Sequence, residues 1–350
     1  VRKLSIPSLD GLREISVGIV LVAHAGYSHI VTGGLGVTIF FFLSGYLITS
    51  LLIEEWETDC NISIRNFYLR RAFRIFPPLL VTLALAYAAA AAGLLPGKLS
   101  LEGFLAQILY LSNYYFIAMK EAGDIPAGLG VLWSLAVEEH FYIVYPALLV
   151  LLLRNKLGRH HIVAVLAAAC AVVLAWRIYL IVVDHAPTIR TYYGTDTRID
   201  SILYGCILAF AANPAFALRR TSGAAEEVHA RLAAGLAAAG LALLLITLMI
   251  RGTVFRETVR YSLQGLALMP IFYYVVRFPL TSAGKVLNTW WMRKLGVYSY
   301  AIYLIHHCII YALSDVPALA GLGRPAMVAS GVGKGAIEIE GEDLVSHGTA

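Results

Sequence analysis

An all-α, polytopic transmembrane bundle of about ten helices is the fold class this sequence predicts. Three observations carry that expectation. Of 350 residues, 59% are hydrophobic and 14% charged, where a soluble domain carries about 25% charged residues. The charges collect in short gaps between apolar runs long enough to enter or cross a hydrocarbon core of ~30 Å. Runs such as 81–95 and 232–250 do not alternate, which sets aside a membrane β-barrel with its ~10-residue alternating segments.

The runs lie at 15–31, 36–53, 78–95, 104–118, 132–153, 162–183, 199–212, 232–250, 259–276 and 295–313. No internal repeat stands out, so an inverted-repeat transporter gains no support. The first run carries a histidine and is followed at once by a second run, which is not the pattern of a cleaved signal peptide. Residues 1–314 form the expected membrane domain. Residues 315–350 turn Gly-rich and acidic, with Glu338, Glu340, Glu342 and Asp343, and read as a disordered or atypical tail.

Lys and Arg mark five gaps: Arg2, Lys3 and Arg13, then 65–74, 154–159, 219–231 and 277–294. By the positive-inside rule all five belong on the cytoplasmic side. Strict alternation satisfies this from residue 132 onward and fails between 78 and 118, so one run there does not cross. The shorter, 104–118, is the expected exception. Net charge is +5, but it is scattered over many loops, so a nucleic-acid partner is not expected.

Four cysteines, Cys60, Cys170, Cys206 and Cys308, lack C-x-x-C spacing, and three fall in apolar runs. They read as small buried hydrophobes. Neither H-E-x-x-H, a P-loop nor a G-x-S-x-G elbow occurs, so neither a metal nor a bound cofactor is expected.

The chemistry begins in the first run, S-L-D-G-L-R-E-I-S-V-G-I-V-L-V-A-H-A-G-Y-S. Arg13 stands at its entrance and His24 lies well inside. Eleven residues are close to three helical turns, so the two share a face about 16 Å apart. Ionisable groups at such depth usually serve a task. A second cluster, R-N-F-Y-L-R-R-A-F-R-I-F-P-P, puts Arg70, Arg71 and Arg74 within a ~100° arc if helical. Pro77–Pro78 is expected to end that piece and start the next helix. The cluster suits either a lipid-phosphate anchor or a clamp on a soluble phosphate ligand, since guanidinium matches phosphate oxygens in pairs.

A third stretch, L-W-S-L-A-V-E-E-H-F-Y, holds adjacent carboxylates that point ~100° apart. Glu138 and Tyr142 share a face at i, i+4, and Ser134 is a possible helix cap. R-I-D-S-I-L-Y-G suggests an internal Arg198–Asp200 ion pair. Y-S-Y-A-I-Y-L-I-H-H adds a histidine pair in the last run, and G-V-T-I-F-F-F-L-S-G-Y-L-I-T has small residues suited to close packing.

As an ordered set over residues 8 to about 313, these stretches resemble the acyltransferase 3 family of bacterial integral-membrane O-acyltransferases. The resemblance implies a multi-pass protein of the bacterial inner membrane. It implies transfer of an acyl group, commonly acetyl, from acyl-CoA to a hydroxyl of a sugar, polysaccharide or glycolipid. It assigns His24 and Glu139 as catalytic, with His24 the general base and Glu139 orienting it. It assigns Arg13, Arg71, Arg74, Trp133 and Glu138 to substrate binding, Arg71 and Arg74 holding CoA phosphates. Partners are then acyl-CoA as co-substrate, a carbohydrate acceptor and membrane lipid. Three departures stand out: Thr38 where aspartate is frequent, His140 where glutamine is usual, and residues 315–350 in place of a further span. The competing class is a transporter or flippase using the same ionisable residues as a path.

Overall fold

The computed structural model describes residues 6, 8–28, 30–119, 124–217 and 224–314; the expected tail at 315–350 lies outside them. The described residues contain helices and no strand. In chain order these are α1 (Leu9–Val22), α2 (Gly33–Asp59), α3 (Ile64–Ala91), α4 (Leu101–Ile108), α5 (Ser112–Met119), α6 (Leu132–Arg154), α7 (Arg159–Ile178), α8 (Thr188–Tyr193), α9 (Thr195–Ala211), α10 (Pro214–Ala217), α11 (Ala224–Met249), α12 (Thr253–Glu257), α13 (Val259–Arg277), α14 (Ser282–Leu287) and α15 (Trp290–Ser314). Seven helical stretches among the described residues are long and apolar enough to cross a membrane.

Burial sorts these helices into layers. Of its most apolar 18-residue window, α2 has 83% buried inside the protein, whereas α11 has 22%. The buried strip of α2 runs from Val37 to Ile53 with only short interruptions, so it is the axis around which the others pack. The outer helices leave Phe73, Val81, Leu85, Val172, Leu232 and Met249 exposed. So much outward-facing apolar surface is a lipid-facing face, not one that water would tolerate.

The tightest crossing joins α2 to α9. A Cβ added at Gly45 would stand 2.0 Å from Ile202 O, and one at Gly205 2.0 Å from Phe42 O. Two backbones approach this closely only where both lack side chains. That contact carries Arg198 against the central helix, where it meets Thr38 and Phe41.

The run 104–118 is broken. It forms α4 and α5, eight residues each, about 12 Å long at 1.5 Å per residue, too short to cross. The basic segments then gather at one end of the bundle. Arg159 pairs with Glu57, Arg70 with Glu55 (3.3 Å) and Arg277 with Glu226 (2.7 Å), while Arg154 donates to Asn61 (3.4 Å).

Pro77 and Pro78 do not end a helix, contrary to expectation: both lie inside a continuous α3 of 28 residues. Membrane helices tolerate proline inside a span, and beside the pair Tyr300 Oη donates to Ile75 O (3.1 Å), tying α15 to α3. The basic cluster is thus rigidly continuous with a spanning helix.

The Gly45–Gly205 crossing makes a direct prediction. Gly45→Ala overpacks a backbone contact, a class of change that costs about 1–3 kcal/mol. The thermal unfolding midpoint in detergent is expected to fall by several degrees; an unchanged midpoint would show that the two helices separate freely.

Candidate functional site

The site is built by five helices whose registers agree. Near the basic end, a cavity is lined by Arg13 of α1, Ser44 and Leu47 of α2, Arg71, Arg74 and Ile75 of α3, Glu138 and Tyr142 of α6, and Tyr300 of α15. One to two turns further along, a second cavity is lined by Ser16 and Val20 of α1, Gly36 and Val37 of α2, Ser134 of α6 and Tyr303 of α15. Phe40 lines both. Beyond the second cavity, α1 reaches His24 and α15 reaches His306 and His307.

At the basic end, Arg13 donates to Asp10 one turn earlier (2.9 Å). Arg71 lies over the Tyr142 ring, 4.4 Å from its centroid. Neither Arg71 nor Arg74 makes an ion pair with another described residue, so the cations that meet here face a cavity without a balancing partner for each. Glu138 is buried and accepts short hydrogen bonds from Ser44 and Tyr142. It is a fixed acceptor inside the basic cavity, as the i, i+4 spacing with Tyr142 suggested. Glu139 faces elsewhere: its charge acts on Arg71, Tyr110 and Tyr300.

At the other end α1 changes geometry. Residues Ala23–Tyr27 form a π-helical turn with Gly26 at φ 99°, a conformation open to glycine. π-Turns inside α-helices recur at functional sites because they redirect single side chains. Here the redirected residue is His24. Its Nδ1 lies 2.8 Å from His306 Nε2, and its ring stacks on His307 with centroids 4.2 Å apart and planes 7° apart. His306 Nδ1 in turn lies 2.7 Å from Tyr303 O, and Tyr303 Oη lies 2.7 Å from Ser134 Oγ.

Several expectations are corrected. The hydrogen-bond partner of His24 among the described residues is His306 of α15, not Glu139 of α6. Ser134 is not a cap but sits inside α6, bonded to Val131 O and Tyr303. Trp133 lines neither cavity: it is buried against Phe41, Tyr192 and Tyr193. Arg198 and Asp200 do not pair with each other. Asp200 takes a two-pronged salt bridge from Arg177 (2.7 and 2.8 Å), fully buried and completed by Ser262 and the carbonyls of Thr197 and Thr258. Arg198 reaches Thr38 Oγ1 (3.3 Å) and lies 3.8 Å from the Tyr261 ring centroid. Its neighbours are aromatic faces, which hold a guanidinium through their quadrupoles. His140 is bonded to Thr195 (2.7 Å), tying α6 to α9.

Sequence reasoning gave His306 little weight and passed over Phe40, Ser44, Tyr300 and Tyr303. The signal was present. Residues 40, 44 and 47 fall at i, i+4, i+7, and 300, 303 and 307 at i, i+3, i+7, so each set lines one helical face. Among the described residues no group of three or more His, Cys, Asp or Glu side chains is arranged to hold a metal.

The acyltransferase-domain profile of the acyltransferase 3 family matches residues 6–332. The chain belongs to that family. It is 31% identical over 320 residues to the peptidoglycan O-acetyltransferase OatA of Listeria monocytogenes, covering 89% of this chain and 50% of that protein. It is 32% identical over 327 residues to the putative peptidoglycan O-acetyltransferase YrhL of Bacillus subtilis, covering 89% and 49%. It is 33% identical over 313 residues to a putative O-acetyltransferase of Staphylococcus aureus, covering 87% and 50%. The chain thus spans about half the length of these curated relatives. No solved structure matches it.

Proposed function

We propose that this chain is a membrane O-acetyltransferase that takes an acetyl group from acetyl-CoA at its basic end and transfers it to a carbohydrate hydroxyl. The observation that carries this reading is the alignment of the two cavities. Two small cavities that share Phe40 follow one another along α1, α2, α6 and α15, the first lined by the cations and the second lying between them and the turn that carries His24.

The residues suit the reaction. Arg13, Arg71 and Arg74 offer guanidinium groups to the CoA phosphates, the ligand they match best. Eleven helical residues separate Arg13 from His24, about 16 Å, which the extended pantetheine arm of CoA can span. Phe40, between the chambers, is a constriction that the acyl-bearing arm must pass. His24 accepts the acceptor hydroxyl's proton as its oxygen attacks the thioester carbonyl. The C–S bond then breaks, and the proton passes to the departing CoA thiolate. A positioned base contributes roughly 10²–10⁴-fold to such a transfer. The names of two relatives support an acceptor hydroxyl of the peptidoglycan type, and the reading puts the chain in the bacterial cytoplasmic membrane.

Two expected outcomes test this. In His24→Ala, acetyl transfer from acetyl-CoA to peptidoglycan fragments, followed by mass spectrometry, is expected to fall at least 100-fold while the protein stays folded; near-normal turnover would end the assignment. In Arg71→Ala combined with Arg74→Ala, the KM for acetyl-CoA is expected to rise about tenfold or more, corresponding to lost charge-assisted contacts, with the acceptor KM unchanged. An unchanged acetyl-CoA KM would return the cluster to the role of lipid anchor, and solute flux independent of acetyl-CoA would favour a transporter.

A further inference from the structure

We infer that His306 is a positioning residue that fixes the tautomer of His24 and so leaves the base nitrogen of His24 unprotonated and available. This deepens the proposed acyl transfer and rests on His24 being its base.

A neutral imidazole has one N–H donor and one bare nitrogen acceptor. His306 Nδ1 lies 2.7 Å from the backbone carbonyl of Tyr303. A carbonyl only accepts, so His306 carries its hydrogen on Nδ1. Its Nε2 is then the bare nitrogen. That nitrogen faces His24 Nδ1 at 2.8 Å, so the hydrogen between the rings belongs to His24 Nδ1. His24 therefore keeps a lone pair on Nε2, the nitrogen a general base needs. Its hydrogen bonding to described residues is through Nδ1.

The anchor of this chain is itself rigid. The Tyr303 carbonyl is helical backbone of α15, and the Tyr303 ring is held by Ser134 at 2.7 Å. His306 is buried, with 5% of its surface exposed, so water does not compete for the inter-ring bond. Second-partner hydrogen bonds of this kind set which imidazole nitrogen is bare. During transfer, the acceptor O–H bond breaks and its proton joins His24 Nε2. The new positive charge is then stabilised through Nδ1–H by the lone pair of His306. When the C–S bond of the thioester breaks, Nε2 returns the proton to sulfur, and both histidines regain their starting state.

Three variants separate this role from packing. Gln at 306 can bring its Oε1 to the position of Nε2 and accept from His24. Asn reaches only the position of Nδ1, and Leu fills the space without an acceptor. Purified protein is assayed with acetyl-CoA and peptidoglycan fragments for released CoA thiol, with thermal midpoints recorded for each variant. His306→Gln is expected to keep kcat within about tenfold of wild type. His306→Asn and His306→Leu are expected to lose about 100-fold or more in kcat, with the KM for acetyl-CoA within about twofold. Wild-type kcat in His306→Leu overturns the inference, as does equal loss in all three variants or a KM that rises in step with the kcat loss. His24→Ala is run alongside: if it stays active, the base assignment itself fails; if it is inactive while His306→Leu is not, only the role of His306 fails.

Discussion

The hydrogen bond between His24 and His306 joins the end of the first helix to the last described one, beyond the two cavities that these helices help to line. Polar groups buried among apolar helices are costly unless each finds a partner. His24 meets that requirement 282 positions away in sequence, which brings α1 and α15 together along their length. Their shared face then lines both cavities. The same constraint accounts for Arg177 and Asp200, whose buried salt bridge holds α7 to α9, and for Arg198, which rests on aromatic faces. Two kinds of arginine can be distinguished: one closed off by a complete set of acceptors and one that faces a cavity.

Arg177 belongs to the first kind. Every nitrogen of its guanidinium finds an acceptor, and none is left for a ligand. Arg71 and Arg74 belong to the second, since they are cations at a cavity without an acid for each. The difference between a structural and a ligand-binding arginine lies in that tally of acceptors, not in depth, because Arg177 is the more deeply buried. Breaking the Arg177–Asp200 pair would leave a bare buried charge, a change that typically costs 3–5 kcal/mol.

Much of the fold was legible in the sequence. Spacing between apolar runs gave the helices, and the distribution of arginine identified 104–118 as the run that does not cross. Its break into two short helices supplies the structural reason. The basic face of α3 and the Glu138–Tyr142 pairing followed from helical periodicity. The proline pair misled, because the local rule for prolines gives no weight to the membrane setting, in which a helix carries prolines in its interior. The partner of His24 was hidden for a related reason. A π-turn of five residues redirects the side chain, and no local pattern in A-H-A-G-Y announces it. Long-range choice between acids, Glu139 or a histidine, and between arginines, Arg177 or Arg198 for Asp200, is decided by packing that sequence spacing does not encode.

The central claim is that one continuous site runs from the cations of α1 and α3 to the imidazole of α1. It is tested most directly in proteoliposomes holding the protein in one determined orientation, with acetyl-CoA and peptidoglycan fragments supplied in turn to each face. The account predicts CoA release only when acetyl-CoA is presented to the face bearing Arg13, Arg71 and Arg74. Equal release from either face, or release confined to the histidine end, would contradict it.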